Sequence, residues 1–161
     1  FTYLALLVEG TAGHAYVPFG VSLYGIAGLV GITIAGRRVD SRMIRLNALA
    51  AAVMVVSAIA GLLALGAGSG LGMFAVIAVF GMAAGALPTV ATTIFLHAGQ
   101  RNQDLASSVY VVTFQVGIAS GSAVGAAVVD AGYLSGTLIS TGVLGALAFT
   151  VLVLWSRTLL R

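Results

Sequence analysis

Gly31 to Arg45 reads GITIAGRRVDSRMIR, and this stretch decides how the rest of the chain is arranged. Arg37, Arg38, Arg42 and Arg45 crowd around one acid, Asp40, and uncharged apolar runs flank the cluster on both sides. Basic residues gathered between two apolar spans mark a short cytoplasmic loop, because Lys and Arg bias the side that stays inside. The crossing direction of every other segment follows from that placement.

Composition points the same way. Of 161 residues 60% are apolar and only 7% charged, with a mean hydropathy of +1.15, whereas a soluble domain carries roughly 25% charged residues. There is too little polar surface to cover a water-soluble globule. The 22 glycines follow no three-residue period and sit inside apolar runs, where glycine lets membrane helices approach closely. The net charge of +3 comes from seven arginines at the ends of apolar spans, so no basic groove for nucleic acid is expected. There is no cysteine, hence no disulfide framework or thiolate zinc site. His14 and His97 are expected on opposite sides of the membrane and cannot share a metal. Phe1 lies inside an apolar segment without a starting Met or a basic leader, which we read as a cut edge.

Taken in order, residues 1–8 are the end of a helix too short to span, since a crossing needs about 20 residues. A loop over 9–17 leads to a span over 18–36, with Pro18 suited to its first turn. Residues 46–100 hold no Asp, Glu, Lys or Arg, too long a run for one crossing, and the glycines at 66, 68 and 70 divide it into spans 46–65 and 71–96. Further spans cover 105–129 and 136–155. Counting crossings puts the loops at 37–45 and 97–104 and the C-terminal tail on one side, and these hold every arginine. The other side carries only Glu9 and Asp130 as charges. Tyr16, Phe19, Phe95, Tyr133 and Trp155 fall near span ends, where interfacial aromatics belong.

The pattern Gly31-x-x-x-x-Gly36-Arg37-x-x-Asp40-x-Arg42 resembles the signature loop of the major facilitator superfamily, in the version between its eighth and ninth helices. Ser41 and Met43 depart from that pattern, standing where Arg and Gly are usual. GMAAGALPTVATT, followed by SSVYVVTFQVGIASGSAVGAAVVDAGY, is similar to helices ten and eleven of the twelve-helix drug and sugar efflux, arabinose-efflux-permease-like branch. The resemblance covers nearly the whole chain. It implies an all-α integral membrane fold, the C-terminal six-helix half with its first helix truncated. It also implies a bacterial inner-membrane protein that exports a small organic molecule such as a drug, sugar or nucleoside, with proton coupling. Its partners would then be lipid, the N-terminal six-helix half, the substrate and the proton, with no cofactor.

Several residues stand out as site candidates. The resemblance implies that Asp40, with Arg37, Arg38 and Arg42, gates the cytoplasmic face; setting topology alone is the other reading. Gly117, Gly121 and Gly125 form a small-residue ridge, and Gly25, Gly28 and Gly31 form another. Tyr110 and Phe114 share the face of Gly117 and Gly121, opposite Ser108, Gln115 and Ser122. Gln115 is an amide within an apolar span and needs a partner, either another helix or a substrate. Pro88 should kink its helix, and Gly81, Gly85, Thr89 and Thr92 share a stripe suited to lining a cavity. Tyr24, Thr89, Thr92, Tyr110, Phe114 and Gln115 are therefore the candidate substrate contacts, weighed against plain packing. No nucleophile and base pair or phosphate loop points to an enzyme. A small self-assembling membrane scaffold or channel is the alternative.

Overall fold

The computed structural model describes residues 3–159, and the side chains of all of these except 39–42 and 155–159. Six α-helices follow in order: α1 (Leu4–Ala12), α2 (Val17–Gly36), α3 (Val39–Gly66), α4 (Gly70–Ala98), α5 (Gln103–Asp130) and α6 (Leu134–Leu159), with one 3₁₀ turn over His14–Tyr16. There is no strand among the described residues. Five of the helices are long and apolar enough to cross a membrane. The protein is an all-helical integral membrane bundle.

The spans fall where the hydropathy places them, but the helices run further into the polar segments than expected. Glu9 to Ala12 is the last turn of α1, not loop. Most of the arginine stretch is also helical: α3 starts at Val39, so only Arg37 and Arg38 connect α2 to α3. Backbone N–H and C=O groups near hydrocarbon are best satisfied inside a helix, and long Arg side chains reach water from a helical turn. The connections are accordingly tight. Ser69 caps α4 by accepting from the Gly72 N–H at 3.1 Å, and Asn102 caps α5 by accepting from the Leu105 N–H at 3.0 Å. Past α5, Gly132 takes φ +82° while the Tyr133 N–H reaches back to the Val128 carbonyl, a glycine-dependent helix stop.

Polar residues inside the spans are mostly satisfied by their own helix. The hydroxyls of Thr33, Thr89, Thr92, Thr93, Ser120, Ser140, Thr141 and Thr150 each donate to the carbonyl four residues earlier. Such back-bonding lets a hydroxyl sit in an apolar span without a partner helix.

Helix direction follows from the pairings. Phe19 meets Phe74 edge to face at 5.1 Å, and Ala35 packs in one cluster with Val90, so α2 and α4 run the same way. Gly61 lies against Leu138 and Gly145 against Val55, so α3 and α6 run oppositely. The ends of α2 and α4 and the starts of α3 and α5 therefore share one face of the bundle, with Arg37, Arg38, Arg42, Arg45 and Arg101. Glu9, His14 and Asp130 lie at the other.

The core is built from small residues. One cluster gathers Leu4, Val8, Ala64, Met73 and Ile77 near the acidic end, and a second joins Ala35 and Val90 near the arginine end. Large side chains point outward instead: Leu63 is 71% exposed and Leu29 and Val56 are each 65% exposed. Soluble proteins do not present apolar surface on this scale, whereas lipid covers it at no cost.

Candidate functional site

Two features organise the interior: a glycine seam and a central cavity. The seam joins α2 to α4. A Cβ added to Gly31 would fall 2.8 Å from the Met82 carbonyl carbon, and one added to Gly85 would fall 2.9 Å from Gly28 Cα. Neither space exists for a side chain, so the two backbones touch directly. Gly28 sits in the same seam, 3.7 Å from the Gly81 carbonyl by the same measure. The expectation that Gly81 and Gly85 line a cavity is therefore corrected: both face the α2 backbone.

The cavity lies between α3, α4, α5 and α6, with α1 across one end and Tyr24 of α2 at its side; its volume is about 560 Å³.

Of the expected substrate contacts, Tyr24 and Phe114 line this cavity, as does Pro88. Tyr24 also lies 6.2 Å from the Phe80 ring, centre to centre. Thr89 and Thr92 do not line it. Their hydroxyls are committed to the carbonyls of Gly85 and Pro88, at 3.2 and 2.7 Å. Tyr110 is packed instead of presented to the cavity: it stacks on Phe114 at 5.7 Å, meets Phe95 at 5.6 Å, and donates to the Pro88 carbonyl at 3.2 Å. Pro88 thus sits where the helix ladder lacks a donor, and its own carbonyl receives two extra ones.

Gln115 does not line the cavity. It is exposed, although Ile118 and Ser122, which share its face of α5 at helical spacing, do line the cavity; Ser108 and Ser120 are exposed as well. Gly25 likewise faces outward with nothing within 4 Å, so it makes no helix contact within this chain. Gly117 and Gly121 line the cavity, yet an added Cβ would meet nothing within 4 Å at either. No helix among the described residues packs on either of them. Gly125 alone of that ridge is in use, under the ring of Tyr3, whose hydroxyl donates to the Ser122 carbonyl at 2.9 Å.

At the arginine end, Asp40 falls in the first turn of α3, while its side chain and that of Arg42 lie outside the described residues. Arg37 and Arg38 are exposed. A shallow hollow nearby is lined by Thr93, Leu96, His97, Gln100 and Gln103. His14 Nδ1 lies 3.4 Å from Glu9 Oε1 at the opposite end, both exposed. Among the described residues no three potential ligands come together to hold a metal.

Two residues escaped the sequence reasoning. Tyr3 anchors α1 to α5, and nothing in its local sequence marks that. Ser57 is 3% exposed, lines the cavity, and its Oγ has no hydrogen-bond partner. It had a signal, being the one polar side chain between Ala48 and Leu65. The chain was compared with known protein families, curated proteins and solved structures, and nothing matched.

Proposed function

We propose that this bundle is half of a secondary transporter that exports a small organic molecule by alternating access, with the arginine end cytoplasmic. The resemblance of the 31–42 stretch to the major facilitator signature supplies the class. One observation gives it physical support: Gln115 lies about 18 Å along α5 from its start, near mid-depth, and is exposed. An amide turned towards hydrocarbon costs roughly 1–3 kcal/mol. That face is better suited to a polar partner or a water-lined path than to lipid, as expected where two halves enclose a substrate route.

Coupling to protons rests on the resemblance, for no Asp, Glu, Lys or Arg lies in the middle of a span in this chain. The charge that would exchange protons belongs to the other half. The scaffold alternative relied on the glycine ridge of α5 meeting another copy. That ridge faces the cavity, which weakens the alternative.

The test is transport by everted membrane vesicles carrying the full-length gene product, with a panel of labelled sugars, nucleosides and lipophilic dyes. Gradient-driven uptake of at least one, reduced several-fold by Gln115→Leu at unchanged protein level, is the expected result. Vesicles no different from empty ones across the panel, with this chain forming a stable oligomer of its own in detergent, would favour the scaffold.

A further inference from the structure

We infer that the hollow at the arginine end, between the last turn of α4 and the start of α5, seats the phosphate headgroup of an anionic phospholipid. The inference goes beyond the transporter reading and does not depend on it, since it needs only a bundle embedded in a membrane. Arg37 and Arg101 beside the hollow supply the attraction, and Gln100 and Gln103 in its wall supply the fit.

The hollow exists because neighbouring helices end at different heights. Phe19 on α2 meets Phe74 on α4, and Ala35 packs with Val90, so the last residue of α2, Gly36, lies level with Ala91. α4 continues to Ala98, about 10 Å further at 1.5 Å per residue. Gly85, which touches Gly28 of α2, is followed at helical spacing by Thr89, Thr93, Leu96 and Gln100. The stripe of α4 that α2 covers at Gly85 therefore runs on into the hollow, where Thr93, Leu96 and Gln100 line it once α2 has ended. Arg37 and Arg38 follow the end of α2 directly and stand at the foot of this step.

The connection to α5 fixes the other wall. Gly99 lies against Ala106, the Asn102 N–H donates to the Gly99 carbonyl at 2.9 Å, and the Asn102 side chain caps α5. Gln100 and Gln103 are thereby held on either side of Arg101 and Asn102, and both line the hollow. His97 Nδ1 lies 3.0 Å from the Thr93 carbonyl; a carbonyl only accepts, so Nδ1 carries the proton and the ring is pinned at the wall. Apart from Leu96 the lining is polar, and it includes no carboxylate among the described residues.

Charge selects an anion as occupant. Five arginines share this face of the bundle with two acids, Asp40 and Asp104. Arg37 and Arg101 are exposed and form no ion pair among the described residues. A phosphate offers each guanidinium two oxygens to grip, and the amides of Gln100 and Gln103 add donors that do not depend on charge. Depth selects a lipid over a soluble anion. The hollow opens where the membrane-spanning lengths of α2 and α4 end, at the level of headgroups, and exposed Leu29, Val30, Ile32 and Ile34 lie within about two turns of that end, a surface for the acyl chains. Basic residues at such a level raise affinity for anionic lipid about fivefold each.

The test is native mass spectrometry of the full-length gene product, released from detergent holding equal amounts of phosphatidylglycerol and phosphatidylcholine. Several-fold more retained phosphatidylglycerol is the expected result, and equal retention would overturn the inference. Arg37→Gln with Arg101→Gln should reduce the preference about fivefold for each arginine removed. Gln100→Ala with Gln103→Ala leaves the charge as it is and should still lower the preference several-fold; an undiminished preference would mean that net charge alone gathers the lipid, and the hollow would be no seat. A large excess of inorganic phosphate should leave the lipid bound, whereas displacement would make this a site for a soluble anion and overturn the lipid. The arginine pair and the glutamine pair are separate variants, so if one fails to assemble by helical circular dichroism the other decides. Lipid retention is read without transport, so a protein that keeps the preference but moves no substrate would count against the transporter reading alone.

Discussion

Gly31→Ala tests the seam on which the α2–α4 pair depends. The new methyl would lie 2.8 Å from the Met82 carbonyl carbon and closer still to its oxygen, against ordinary contacts of about 3.5–4.0 Å between carbons. The helices would have to part by most of an ångström along a backbone that cannot turn aside. Overpacking of that kind costs about 1–3 kcal/mol. Replacing a helical glycine by alanine returns about 0.5–1 kcal/mol, so the net loss should be about 0.5–2 kcal/mol. Gly25→Ala is the matched control, in the same helix with nothing within 4 Å; it should be neutral or stabilising by up to about 1 kcal/mol. The measurement is reversible unfolding in mixed detergent and SDS micelles, followed by helical circular dichroism. Gly85→Ala meets the Gly28 backbone across the same seam. One separation relieves both clashes, so the double variant should lose less than the two single losses together. If Gly31→Ala and Gly25→Ala unfold within about 0.5 kcal/mol of each other, backbone contact does not hold this seam and the packing argument is wrong.

Other substitutions test neighbouring parts of the account. Pro88→Ala restores a helix donor and should raise stability, by up to about 3 kcal/mol on helix propensity alone; a loss would mean that the proline ring is needed to keep the Pro88 carbonyl in reach of the Tyr110 hydroxyl. Tyr3→Phe removes the hydrogen bond to the Ser122 carbonyl and should cost about 0.5–1.5 kcal/mol in the same unfolding assay; no change would show that the ring alone anchors α1. Arg38→Cys should react with an impermeant maleimide in inside-out vesicles and not in intact cells, and the reverse pattern would invert the topology. Asp40→Asn in the full-length gene product should lower export without affecting insertion, and unaltered export would remove the gating role of Asp40.

Much of the fold was legible because hydropathy in a membrane protein reports directly on the medium. The stretch from Leu46 to Gln100 had to be broken into two crossings, and its glycines fixed the break; the helices end and restart at Gly66 and Gly70. Helix ends were read too short for the opposite reason. Charged residues such as Glu9 and Arg45 suggest loop by composition, yet hydrogen bonding of the backbone at the membrane edge favours continuing the helix. Side-chain roles were harder to read. Thr89 and Thr92 look like cavity residues by stripe, but a hydroxyl on a helix can bond its own preceding turn, and no sequence pattern separates that choice from outward presentation.

Glycine shows the limit most clearly. Gly25, Gly28 and Gly31 share spacing and setting, yet one faces outward and the others belong to a backbone seam. Gly117, Gly121 and Gly125 share theirs, yet only Gly125 is occupied. A small-residue ridge in a sequence states that a close approach is possible, and leaves open which helix approaches. What separates the members of a ridge is the partner: where α4 arrives, an added methyl is excluded at Gly31 and in ordinary contact at Gly28, and where no helix arrives, at Gly117 and Gly121, it meets nothing within 4 Å.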